Sequence, residues 1–116
     1  QLLPNKELYF ENERRFFIRK ELFKKEAIVF INPKSKSIFL KNIKNRHEVK
    51  IGFLKFDNLA LWTPYNKDKE LRLICIEPWI GHSDFKDYSG EFKDRDEVSF
   101  LKPGSYKTYT YTIEVK

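Results

Sequence analysis

The stretch YKTYTYTIEV, Tyr106 to Val115, decides the fold class. Lys107, Tyr109, Tyr111, Ile113 and Val115 fall on one side of an extended chain. Tyr106, Thr108, Thr110, Thr112 and Glu114 fall on the other. This period of two, in β-branched and aromatic residues, predicts a strand with one buried and one wetter face. Before it, Leu101-Lys102-Pro103-Gly104 reads as a turn, since proline presets φ and glycine accepts a positive one.

Working back from that strand, the same reading repeats. Strands are predicted over Ala27 to Ile31, Ser37 to Lys41, His47 to Leu54, Leu59 to Thr63 and Leu71 to Glu77. Asn32-Pro33, Pro64 and Pro78 are read as their stops, because proline removes a ladder donor. Near the start, Asn5 is expected to cap a helical turn running to about Glu13. Phe16-Phe17-Ile18 reads as a strand and Leu22-Phe23 as a single helical turn. Pro78 to Glu97 lacks regular patterning. Trp79, Gly81, His82, Ser83, Asp84 and Gly90 mark it as an ordered functional loop. The fold class is therefore all-β.

Composition narrows the function. The chain has 116 residues, enough for one small domain. Its 41% hydrophobic and 16% aromatic content exclude a disordered chain. The net charge of +6 is dispersed, with Lys and Arg interleaved with Glu and Asp. Even the densest stretch, Lys34 to Lys50, reads as the solvated face of strands rather than a nucleic-acid stripe. Cys75 is alone, so no disulfide forms within the chain and no metal is expected. It reads as a buried, inert thiol. No apolar run approaches the roughly 20 residues of a membrane span. The expectation is a cytoplasmic protein with no cofactor and no nucleic-acid or membrane partner. The chain begins at Gln1 without a Met, which hints at a piece of something longer.

The chemistry gathers at Leu71 to Trp79. Leu71, Leu73, Cys75 and Glu77 share one side of the predicted strand, so Glu77 is expected to continue an apolar face where the strand ends. Partial desolvation there would make it a better base. Trp79 places a flat ring beside the acid, and sugars stack C–H faces on indole while their hydroxyls bond to carboxylates. On spacing alone, a salt-bridged glutamate beside a core-filling tryptophan has the advantage.

A resemblance reverses that balance. Cys75-Ile76-Glu77-Pro78-Trp79-Ile80-Gly81 followed by Asp84 is similar to the C-terminal motif of the aldose 1-epimerase, or galactose mutarotase-like, family. Its LacX-like bacterial branch fits best. Gly90, the turn at Leu101 to Gly104, the final strand and Leu59-Ala60-Leu61-Trp62-Thr63-Pro64 also resemble that branch, in order. So do Leu22-Phe23 through Phe30 and Ser35 to Leu40, so the likeness runs from about residue 16 to 116.

The resemblance implies the C-terminal part of a large antiparallel β-sandwich. It also implies an isomerase that interconverts the α and β anomers of an aldohexose without cofactor. Glu77 would be the catalytic base. Trp79, His82, Asp84, Trp62 and Glu26 would contact sugar, Glu26 standing where the branch has aspartate. The family's acid, a histidine, belongs to an N-terminal segment that the matched region does not reach. His47 reads as a surface residue. His82 lies within reach of the pocket of Glu77 without occupying the acid's position. The isolated chain is thus expected to be inactive, or to act as a non-catalytic carbohydrate-binding module. A partial sandwich leaves open edges, so self-association or a missing N-terminal segment is expected to cover them.

Overall fold

A computed structural model describes residues 14–116. The helical turn expected from Asn5 to Glu13 lies outside the described residues. Among the described residues, six strands form two antiparallel three-stranded sheets, and the all-β expectation holds. The strands are β1 (Ile28–Ile31), β2 (Ser37–Lys41), β3 (Glu48–Gly52), β4 (Asn58–Trp62), β5 (Cys75–Trp79) and β6 (Thr112–Val115). One sheet has the order β1-β4-β5 and the other β2-β3-β6. A 3-10 turn at Lys20–Phe23 precedes β1, where the Leu22-Phe23 turn was expected. No helix among the described residues is long and apolar enough to cross a membrane.

The sheets share one core because their registers put apolar side chains on facing sides. In the first, Ile28 pairs with Leu61 and Phe30 with Leu59, while Leu61 pairs with Ile76. In the second, Ile38 pairs with Ile51 and Leu40 with Val49. Phe23, Ile28 and Leu61 form one buried cluster, with Ile38 packed against it. Ile51, Phe53 and Leu59 form a second, reached by Phe30, Ile38 and Ile76. Phe53 is fully buried just past β3, its N–H donating to the Lys36 carbonyl at 2.8 Å. The basic stretch behaves as a solvated face: Lys34, Lys41, Lys44 and Arg46 are exposed. His47 is exposed as well.

Four expectations change. Phe16 to Ile18 forms no strand, yet its alternation survives: Phe16 and Ile18 pack on the core and Phe17 is exposed. β5 starts only at Cys75 and runs through Pro78 to Trp79. It is an edge strand, where a missing donor is tolerated. The final strand pairs only over Thr112–Val115, because β3 offers just Glu48–Gly52. Both its faces are exposed, so the expected buried side is uncovered in this chain. Cys75 is half-buried rather than buried. The turn at Leu101 to Gly104 forms as read: the Ser105 N–H donates to the Lys102 carbonyl at 3.1 Å, with Gly104 at φ 76°.

Candidate functional site

The register between β4 and β5 decides what surrounds Glu77. Asn58 lies opposite Trp79, Ala60 opposite Glu77 and Trp62 opposite Cys75. These six residues share one face of the sheet, and Leu59, Leu61, Ile76 and Pro78 share the other. The second face is the core face, since Leu59, Leu61 and Ile76 belong to the buried clusters. Glu77 therefore does not continue the apolar face. It projects to the opposite side with both tryptophans, and Leu73, its expected apolar neighbour, is exposed. Ile74 and Ile76 take the core instead. Alternation names two sides of a strand; the neighbouring strand chooses which one is buried.

Glu77 is half-buried, and Trp79 Nε1 donates to its Oε2 at 3.1 Å. This bond joins two side chains two residues apart on one face and fixes the carboxylate's direction against the indole. Ala60, the residue across from Glu77, is fully buried and carries only a methyl group, so no bulky side chain stands at that position. Trp62 lies one pair along the same face, half-buried.

Past Trp79 the chain turns at Gly81, whose φ of 70° few other residues adopt. His82 follows, its side chain only 4% exposed. Its Nδ1 lies 2.7 Å from the Ser83 carbonyl and its Nε2 3.2 Å from Asp96 Oδ2. Glu97 Oε2 is 3.9 Å from the same nitrogen. Burial of the ring opposes charge, but the Ser83 carbonyl and the Asp96 and Glu97 carboxylates outweigh it. The pKa of His82 is raised above its usual 6.5. Asp84 is ion-paired with Arg95 Nε, and Arg95 Nη2 donates to the His82 carbonyl at 3.0 Å.

A hollow of about 190 Å³ opens beside this loop, walled by His82, Phe92, Arg95, Asp96, Glu97 and Val98 among others. Glu77 and Trp79 are not in its wall. His82 and Glu77 thus do not meet in this hollow, because the chain turns at Gly81 between them. Glu26 stands apart as well. It is exposed in the turn before β1 at φ 87°, its N–H donating to the Phe23 carbonyl at 3.2 Å. Of the six site residues read from the sequence, the structure brings together Glu77, Trp79 and Trp62. His82 and Asp84 form a second group, and Glu26 joins neither.

Sequence reading missed the residues that hold the loop in place. Asn58 is fully buried. Its Oδ1 accepts from the Asn32 N–H at 2.9 Å, and its Nδ2 donates to the Gly81 carbonyl at 2.7 Å and to Glu97 Oε2 at 2.6 Å. Asp57 Oδ2 accepts the Gly81 N–H at 2.9 Å. The available signal was the phase of β4: Asn58, Ala60 and Trp62 share a side, and a buried amide on such a face demands partners.

Comparison with known proteins adds one link. No protein-family model matches the chain. No solved structure matches it. Two curated proteins from Lactococcus lactis subsp. lactis do: Protein LacX, plasmid, and Protein LacX, chromosomal. Each is 30% identical over 113 residues, which is 96% of this chain and 37% of the relative. The chain is similar to LacX along nearly all of its own length, and spans well under half of LacX.

Proposed function

We propose that this chain is the C-terminal portion of an aldose 1-epimerase-like protein and that Glu77 is its general base. The reading rests on one observation. Glu77 is held by the Trp79 indole on the face of the sheet that turns away from the core, opposite Ala60 and beside Trp62. Two tryptophans on the same face as an oriented carboxylate suit a sugar, whose C–H face stacks while its hydroxyls bond. The likeness to LacX and the motif from Cys75 to Gly81 support the same reading.

In the proposed reaction Glu77 takes the proton of the C1 hydroxyl of an aldohexose. The bond from C1 to the ring oxygen breaks, and an acid protonates that oxygen. The open aldehyde rotates about C1–C2 and recloses on its other face, returning both protons. Two groups of separated pKa suffice for this. The acid is assigned to the part of the protein outside this chain.

A second reading, a carbohydrate-binding module without turnover, is favoured by the state of His82. Its ring is committed to Ser83 and Asp96 and stands outside the face that carries Glu77. Polarimetry and fluorescence separate the readings. Freshly dissolved α-galactose mixed with this chain is expected to lose optical rotation no faster than in buffer. In a Trp62→Phe background, galactose is expected to quench Trp79, and Glu77→Gln to weaken that quenching. Acceleration of mutarotation that Glu77→Gln abolishes would place the acid inside this chain. Absence of any sugar-dependent change at Trp79 would remove both readings.

A further inference from the structure

The loop from Gly81 to Ser99 is fastened to the sheet by a chain of polar groups, and its last link carries a proton. Asn58 is the first link. Its carbonyl accepts one hydrogen bond and both its N–H groups donate, so both polar atoms of the amide are partnered at zero exposure. Through it β4 grips both arms of the loop at once, at Gly81 and at Glu97. Glu97 is the second link. It sits at φ 57°, a conformation that costs energy in a glutamate and persists where surroundings hold it.

His82 is the third link, and its bonding defines its charge. Nδ1 faces a backbone carbonyl and Nε2 faces carboxylates. Carbonyls and ionised carboxylates only accept, so both ring nitrogens must donate for both bonds to form. A neutral imidazole carries one N–H; only the imidazolium satisfies both partners.

We infer that Asn58, Glu97 and His82 form a proton-dependent latch: doubly protonated His82 locks the Gly81–Ser99 loop onto β4, and loss of that proton releases it. The charged groups around His82 agree with this assignment. Asp96 and Glu97 face its ring from the far arm of the loop. Arg95 meets only its backbone carbonyl and is itself paired with Asp84. Asp57, the residue before β4, is occupied by the Gly81 N–H. Phe85, an uncharged ring, also meets it edge-on at 5.1 Å. With the pKa of His82 raised in the fold, the latch is complete below its usual 6.5. It is lost as pH rises through the higher value. The inference does not depend on Glu77 or on any sugar.

Site-resolved amide exchange and histidine proton shifts of the whole chain test the latch between about pH 5.5 and pH 8. After correction for intrinsic exchange, protection of Gly81 to Ser99 is expected to fall several-fold as pH rises, while β4 is unchanged. His82→Gln, a neutral side chain, is expected to leave the loop weakly protected at every pH. Glu97→Gln keeps a partner for Asn58 but removes the charge, and is expected to lower the His82 midpoint. A loop whose protection ignores pH in the parent chain would overturn the latch. So would a His82 midpoint that Glu97→Gln leaves in place.

Discussion

β4 and β6 are both short antiparallel strands rich in apolar residues, yet they meet opposite fates. In β4, Leu59 and Leu61 are 3% and 6% exposed, and Asn58 and Ala60 on the other side are fully buried. In β6, Ile113 and Val115 are 59% and 76% exposed, though they pair with Ile51 and Val49 of β3. The difference lies in position. β4 is the centre of its sheet, with the core on one face and the loop anchored at Asn58 on the other. β6 is an edge strand of the second sheet, hydrogen-bonded on one side to β3, and all four of its residues are exposed. Alternation sorts side chains into two sides; whether a side is covered depends on what lies across from it.

Truncation at matched positions gives the largest expected contrast. Leu61→Ala is expected to cost about 2–5 kcal/mol, as removal of a buried leucine side chain does. Val115→Ala is expected to stay within about 0.5 kcal/mol, as at an exposed site. Urea unfolding with an unchanged slope measures both. A cost for Val115→Ala close to that for Leu61→Ala would mean that the inner side of β6 is covered in solution. Next in size is Asn58→Ala, expected to cost about 2–3 kcal/mol by stranding buried partners. The cost should concentrate in exchange protection of the loop. Uniform loss across both sheets would instead make Asn58 a general core residue.

The same contrast explains what was legible in the sequence. β1 to β4 were read to within a residue or two because each carries its alternation between turns. The covered face of β5 was not legible. Leu71 and Leu73 looked like partners of Glu77, but the chain is not yet a strand there, and Leu61 across the ladder selects Ile76 for the core. The length of the final strand was overread because its own pattern runs from Tyr106, whereas its partner β3 ends at Gly52. The indole beside Glu77 was legible from spacing alone, since residues two apart on a strand share a side. Asn58 escaped notice because its partners Gly81 and Glu97 lie 23 and 39 residues away.

The smallest expected effect separates two glycines, one from each region. Gly81 and Gly104 have nearly the same backbone, φ 70° and φ 76°, and an alanine pays a similar conformational cost at either. Their surroundings differ. A Cβ on Gly104 would meet nothing within 4 Å, whereas one on Gly81 would come 3.2 Å from the Glu97 carbonyl oxygen. Gly104→Ala is therefore expected to cost about 1 kcal/mol, the left-handed penalty alone. Gly81→Ala adds a close approach to a residue that Asn58 already holds, and is expected to cost about 2–3 kcal/mol. If the loop yields freely, the two substitutions will cost the same in urea unfolding. A gap between them measures how firmly Glu97 is held against the strand, in a region where β6 offers no comparable constraint.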